Sequence, residues 1–351
     1  MAMSSNDMKQ ELFKRYALNF TACFPGHEQL FGCPLCFRVF GIEALDEGAD
    51  ARDPVLSVEH VVPESVGGRI VTLTCRVCNN RDGSEIDAHL TRRFRFEDSF
   101  AGLGDEPIKA RLRAKGGHKT QAVDWHIRGG DQPHFVLYGV PKASHPDAPN
   151  EILAAMHGGR SIDFLFESDF IAARSRIALI RAAYLMLFRY FGYGYLRYGT
   201  AEIVREQIKR YDDDLFGHPG VVTFENPPFP GEMNRLYAIY EPVELRCFFV
   251  ALEAKAVRNR YFGVIMPGLD SESSEVYKRW AALGQKTRSF SVSPLQIRYD
   301  PNHLINPTCV SFVMDVWGEV IREGFKFVDG KAPQDRSIPF PIAPRLMYDP
   351  N

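Results

Sequence analysis

Two Cys-x-x-Cys pairs, Cys33-Pro34-Leu35-Cys36 and Cys75-Arg76-Val77-Cys78, bracket one compact stretch of this chain. Each pair folds as a tight knuckle that aims two thiolates at one point, and two knuckles close a tetrahedral site of the structural-zinc type. Such a site fixes a fold where the chain is too thin to build a core. A single pair would be weak, with chance or redox chemistry as its other readings, but two pairs around one segment point to Zn²⁺. The other three of the seven cysteines, Cys23, Cys247 and Cys309, are scattered. Cys23 and His27 have ligand-like spacing, yet four better ligands already exist.

The chain has 351 residues, so two domains are expected. Its 45% hydrophobic and 25% charged content is ordinary for a soluble globular protein. A formal net charge of -2 excludes a globally basic nucleic-acid binder, and any such surface must be local. No apolar run reaches the ~18 residues of a membrane helix. The richest stretch, Ile177–Phe191, is interrupted by Arg181 and Arg189. The polar N-terminus lacks a signal-peptide core, so a cytoplasmic protein with reduced thiols and no membrane partner is expected.

Between the knuckles, two β-like pieces, Val55–Val62 and Arg69–Thr74, flank Pro63-Glu64-Ser65-Val66-Gly67-Gly68, which is turn chemistry. Ile86 and Leu90 lie four apart among polar residues, which suits a helix after the second strand. Short helical character is expected over Asp7–Tyr16. Farther on, Ile108–Lys115 alternates cations with apolar residues at strand spacing, which lines Lys109, Arg111, Arg113 and Lys115 along one face. Ala122–Ile127 and His134–Val140 read as a hairpin around Arg128-Gly129-Gly130-Asp131, and Pro141–Pro149 as a link. Helices are expected at Phe170–Tyr190, Thr200–Tyr211, Glu275–Leu283 and Cys309–Glu323. Strands are expected at Leu236–Tyr240, Glu244–Leu252 and Arg258–Ile265.

Inside the bracket stand Glu59 and His60. Adjacent residues on a strand point to opposite sides, so a carboxylate beside an imidazole can serve a metal on one side and a water on the other. Asn79 and Asn80 open the following helix, where an oxygen ligand can converge on a metal held by Glu59. Hard oxygen ligands few in number suit Mg²⁺, which keeps several waters.

At this point the sequence resembles the HNH, or ββα-metal, endonuclease family. The resemblance runs over about residues 33–90 and is carried by C-P-L-C, E-H-V-V-P-x-S-x-G-G and L-T-C-R-V-C-N-N. It implies Glu59 as first metal ligand, His60 as general base and Asn79 as last metal ligand. It also implies single-metal hydrolysis of DNA that leaves a 5′-phosphate. RNA is the less favoured substrate, and a homodimer is compatible. Members with an added domain often serve restriction or phage defence. One departure stands out: the family's second-strand Asn, which braces the loop of the base, is missing from Arg69-Ile70-Val71-Thr72-Leu73-Thr74. Thr72 or a backbone group could substitute.

The expected architecture is α+β: an N-terminal ββα-metal HNH module with a four-cysteine zinc site over residues 1–100, then a larger α+β domain over residues 101–351. Arg76 and Arg81 flank the second knuckle and are candidate phosphate clamps or ordinary surface arginines. The stripe Lys109, Arg111, Arg113 and Lys115 needs an anionic answer, either nucleic acid or an acidic face of the second domain. Asp87 and His89 could support the site or simply cover the helix. Arg174, Arg176 and Arg181 read as snorkelling arginines on a core helix. Tyr190, Tyr193, Tyr195 and Tyr198 read as an aromatic core boundary rather than a base-stacking platform. Two other functions compete with the nuclease: a non-catalytic zinc-stabilised nucleic-acid-binding protein, and an effector nuclease gated by a ligand sensed in the C-terminal domain.

Overall fold

The computed structural model describes residues 5–45, 55–128, 134–196, 199–213, 215, 220–228, 233–241, 243–268, 275–286 and 292–299. The expected helix at Cys309–Glu323, the turn at 129–131, Tyr198 and Cys309 lie outside them. Helix α1 (Ser5–Cys23) leads to two short strands, β1 (Phe31–Gly32) and β2 (Val39–Phe40), which close the first knuckle. The helix outruns its sequence expectation because Phe13, Tyr16, Ala17 and Phe20 repeat at helical spacing and are buried.

Strands β3 (Leu56–His60) and β4 (Val71–Cys75) form the expected antiparallel hairpin, with Glu59 opposite Thr72 and His60 opposite Val71. Their connection depends on its glycines. Gly67 sits at φ 82°, in the left-handed region that favours glycine. A Cβ at Gly68 would collide with the Val62 carbonyl. Helix α2 (Arg76–Asp82) starts on the second knuckle and runs through a π turn (Gly83–Asp87) into α3 (Ala88–Phe100).

A four-stranded sheet follows, ordered β7-β6-β5-β8, from β5 (Ile108–Ala114), β6 (Gln121–Arg128), β7 (His134–Gly139) and β8 (Ile162–Phe166). Helix α4 (Ala148–His157), which the Pro-containing link had hidden, packs Ile152 against Ala110 and Leu112. Then come α5 (Ala172–Phe191), α6 (Tyr193–Leu196) and α7 (Gly199–Lys209). The last sheet is ordered β13-β10-β11-β12-β9, from β9 (Val221–Phe224), β10 (Arg235–Glu241), β11 (Cys247–Lys255), β12 (Asn259–Met266) and β13 (Ser293–Ile297), with α8 (Val276–Lys286) beside it. No helix among the described residues is long and apolar enough to cross a membrane.

Helix α5 is the pillar of the molecule. A helix apolar on every side belongs in a core, and α5 is buried throughout Ile177–Phe188. One continuous core joins it to α1, the two knuckles, Leu73 of β4, Phe94 of α3 and strands β10 to β12. Phe188 stacks on Tyr16 at 4.5 Å between ring centres. The polar atoms of α5 bond the knuckle region directly: Tyr184 donates to the Pro34 carbonyl at 2.8 Å and Arg189 to the Val71 carbonyl at 2.7 Å. Tyr190, Tyr193 and Tyr195 are buried here, as an aromatic core boundary requires.

Candidate metal centre and hydrolytic cleft

The four knuckle cysteines converge. Cys36 lies within a tight turn in which Phe37 N donates to the Cys33 carbonyl at 2.8 Å. Cys75 ends β4 in extended conformation and starts α2, which brings Cys78 back within one turn. The four sulfur atoms all lie within 4.8 Å of one another, and Cys36 and Cys75 are 3.7 Å apart. A zinc tetrahedron with bonds of about 2.3 Å has edges of about 3.8 Å, so the cage fits that ion. A disulfide would need sulfurs at about 2.05 Å, and Cys33, Cys36, Cys75 and Cys78 are free thiols. Cys23, also outside any disulfide, lies in the core apart from this cluster.

A cleft of about 250 Å³ opens beside the hairpin, and Glu59, His60, Asn79, Asp87 and Thr91 line it. The three residues expected to do chemistry are therefore brought together. His60 ends β3 with its side chain partly exposed, whereas Glu59 beside it is only 4% exposed. Asn79 donates through Nδ2 to Ser57 Oγ at 3.0 Å and to the Val58 carbonyl at 3.1 Å. That anchors its amide by the nitrogen and leaves the carbonyl oxygen as the group available to a cation.

Glu59 is held by a residue from far along the chain. Arg181 of α5 is fully buried and spreads its guanidinium over three carboxylates: Nη2 to Glu59 Oε1 at 2.8 Å, Nε to Asp82 Oδ2 at 3.1 Å and Nη1 to Asp87 Oδ2 at 3.0 Å. This corrects the snorkelling reading, because no part of Arg181 reaches water. Arg81 closes on the remaining Asp82 oxygen, Nε to Oδ1 at 2.6 Å. Burial raises the Glu59 carboxyl above its ordinary range, with Arg181 pulling the other way. Burial pushes Asp87 up to about 7, with Arg181 opposing and Glu59 and Asp82 adding to the rise. Glu59 Oε2 is buried and has no hydrogen-bond partner among the described residues. A buried carboxylate oxygen in that condition is costly unless something cationic meets it, so the donor set fits a divalent ion.

Removing Arg181 would leave three buried carboxylates facing one guanidinium. Arg181→Met is expected to cost about 3–5 kcal/mol of stability, read as a lowered midpoint in urea unfolding. An unchanged midpoint would show that the cluster carries no structural weight.

The second strand carries no Asn, and Thr72 does not brace the loop after His60, since its hydroxyl bonds Tyr16 Oη at 2.7 Å in the core. Backbone groups brace the loop after His60 instead: Val61 N to the Ile70 carbonyl at 2.8 Å, Val66 N to the Pro63 carbonyl at 3.0 Å and Gly68 N to the same carbonyl at 3.1 Å.

The cations expected at phosphate divide. Arg76 lies on the opening turn of α2, and Arg81 is committed to Asp82 as described. On β5, Lys109, Arg111 and Arg113 do share the more exposed face, with Lys115 just beyond the strand. However, Arg111 pairs with Glu167 at 2.7 Å and Arg113 with Asp163 at 2.9 Å, and Lys109 stands opposite Asp124 in register. Acids of the same sheet thus answer much of the stripe, and none of its cations lines the cleft. His89 ties two helices, Nδ1 accepting from Ile171 N at 3.0 Å, whereas Asp87 faces the cleft.

Asp82 and Arg181 were missed by sequence reasoning. One signal was present: an arginine in the middle of an apolar helical run long enough to be buried on all sides has to find carboxylates.

The structure thus sets a hairpin feeding a helix over a four-cysteine cage, with a histidine and a half-free carboxylate at one cleft. Residues 48–95 match the family of HNH endonucleases, a segment that holds Glu59, His60, Asn79 and the second knuckle. Cys33 and Cys36 lie before that segment, so the cage is completed from outside it. No curated protein and no solved structure matches the chain.

Proposed function

We propose that this protein is a metal-dependent HNH endonuclease that hydrolyses phosphodiester bonds in DNA. The observation that carries the reading is one cleft containing His60, the Asn79 amide and a buried Glu59 oxygen with no other partner among the described residues. Zn²⁺ in the four-cysteine cage is structural, because a closed tetrahedral thiolate site leaves no position for substrate.

His60 acts as general base and takes a proton from water. The water oxygen bonds to phosphorus as the bond to the 3′-oxygen breaks and that oxygen takes a proton from solvent, which yields a 5′-phosphate and a 3′-hydroxyl. Glu59 and Asn79 would hold Mg²⁺, which when bound supplies charge stabilisation to the phosphate and the departing 3′-oxygen. Arg181 fixes the carboxylate of Glu59, so that residue does not need to reorganise on binding. Contacts along the phosphate backbone are assigned to Arg76, Arg81, Lys109, Arg111, Arg113 and Lys115. For Arg81, Arg111 and Arg113 the same role requires leaving an internal carboxylate. A restriction or phage-defence setting is what the family resemblance would add.

The test is conversion of supercoiled plasmid to nicked and linear forms by the full chain. Cutting is expected with Mg²⁺ and none with EDTA. Plasmid that stays supercoiled with Mg²⁺, while the protein retards it in a gel, would favour the non-catalytic binder. A fragment ending near residue 100 is not a fair substitute, since it lacks Arg181 and the α5 half of the core.

A further inference from the structure

Asp87 has no task in the hydrolysis proposed above. We infer that Asp87 is a third protein ligand of the divalent cation bound in the cleft, beside Glu59 and Asn79. The inference deepens the nuclease reading and rests on it for what the ion does.

The argument begins with the division of oxygen atoms around Arg181. Its three nitrogens take one oxygen from each of Glu59, Asp82 and Asp87. The second oxygen of Asp82 goes to Arg81. The second oxygens of the other two, Glu59 Oε2 and Asp87 Oδ1, are buried and have no hydrogen-bond partner among the described residues. Glu59 is 4% exposed and Asp87 7% exposed, and both line the same cleft. A guanidinium is a rigid planar fork, so it sets the plane of each carboxylate and leaves one oxygen of each unclaimed. Two such oxygens plus an amide carbonyl are the hard donor set that Mg²⁺ or Mn²⁺ takes.

Charge points the same way. Among the described residues the ion pairs of Glu59, Asp82 and Asp87 are with Arg181 and Arg81, so with all three acids ionised these five groups carry one negative charge in excess. A divalent cation turns that into one positive charge, which one phosphodiester then matches. Buried charge without compensation is strongly unfavourable, and the ion supplies the compensation.

The π turn explains how Asp87 gets there. In a regular α-helix, residues five apart lie about 140° apart around the axis, so Asp82 and Asp87 could not both reach one guanidinium. The turn Gly83–Asp87 closes with Ala88 N on the Gly83 carbonyl, five residues back, and brings the two acids onto the same side. Turns of this kind recur at functional sites.

The test is isothermal titration of Mn²⁺ into the full-length zinc-loaded protein without DNA. Wild type, Asp87→Asn and His60→Ala are compared, with zinc content and thermal midpoint recorded for each. Asp87→Asn keeps an oxygen for Arg181 and leaves the cluster neutral, so it should fold. Its Mn²⁺ affinity should fall at least about tenfold, while His60→Ala binds as wild type does. An Asp87→Asn affinity within about threefold of wild type would overturn the assignment, as would a wild type that takes up no Mn²⁺. Should Asp87→Asn fail to fold, Asp87→Glu keeps the charge, moves the free oxygen by one methylene and carries the same criterion. The failures are separable. A wild type that nicks plasmid while Asp87→Asn keeps full Mn²⁺ affinity removes only the ligand. Mn²⁺ binding that depends on Asp87 without any cutting removes only the nuclease.

Discussion

Replacing His60 by alanine is expected to lower the plasmid-nicking rate by about 10²–10⁴-fold, the range a positioned general base contributes, with zinc content and thermal midpoint unchanged. The separation of readouts follows from where the residue sits. His60 ends β3 at the mouth of the cleft, outside both the cysteine cage and the buried core. A partly exposed side chain of that kind is worth within about 0.5 kcal/mol to stability. Loss of cutting with loss of fold would mean that the histidine braces the hairpin instead. Full cutting would end its assignment as the base.

Cys75→Ser is expected to do the reverse, removing the fold and activity only as a consequence. Cys75 is 2% exposed and joins the end of β4 to the start of α2, and its N–H reaches Cys33 Sγ at 3.4 Å. Binding of structural zinc by small modules amounts to about 10–16 kcal/mol, against a net domain stability of about 5–15 kcal/mol. A weakened cage therefore removes much of the margin. The variant should lose its zinc and melt broadly, because the knuckles belong to the same core as α5. Cys247→Ser is the control: Cys247 is equally buried but sits in β11 away from the cage, so one equivalent of zinc should remain.

How much of this was readable in the sequence depended on how local each interaction is. The two knuckles, the β3–β4 hairpin and the group Glu59, His60 and Asn79 lie within one short segment, where spacing alone places side chains on faces. The hold on Glu59 was not readable, because Arg181 reaches Asp82 across 99 residues of sequence. The acids that answer β5 were hidden for the same reason, Asp163 lying 50 residues from Arg113 and Glu167 lying 56 from Arg111. The π turn was hidden differently. Its Asp82-Gly83-Ser84 run marks a weak point in a helix but not the kind of turn, and the burial of Asp82 and Asp87 against one arginine, which no local pattern encodes, accompanies it. The loop after His60 shows a third kind of limit: it is held by backbone hydrogen bonds, which leave no mark in residue identity.

The central claim is that one cleft, framed by Glu59, His60 and Asn79, is where the ion and the phosphodiester meet. Anomalous diffraction from crystals grown with zinc and soaked in Mn²⁺ tests it most directly. The account predicts a zinc peak among Cys33, Cys36, Cys75 and Cys78 and a separate manganese peak against Glu59 Oε2 and the Asn79 carbonyl. Manganese elsewhere with this cleft empty, or no manganese at all, would contradict it.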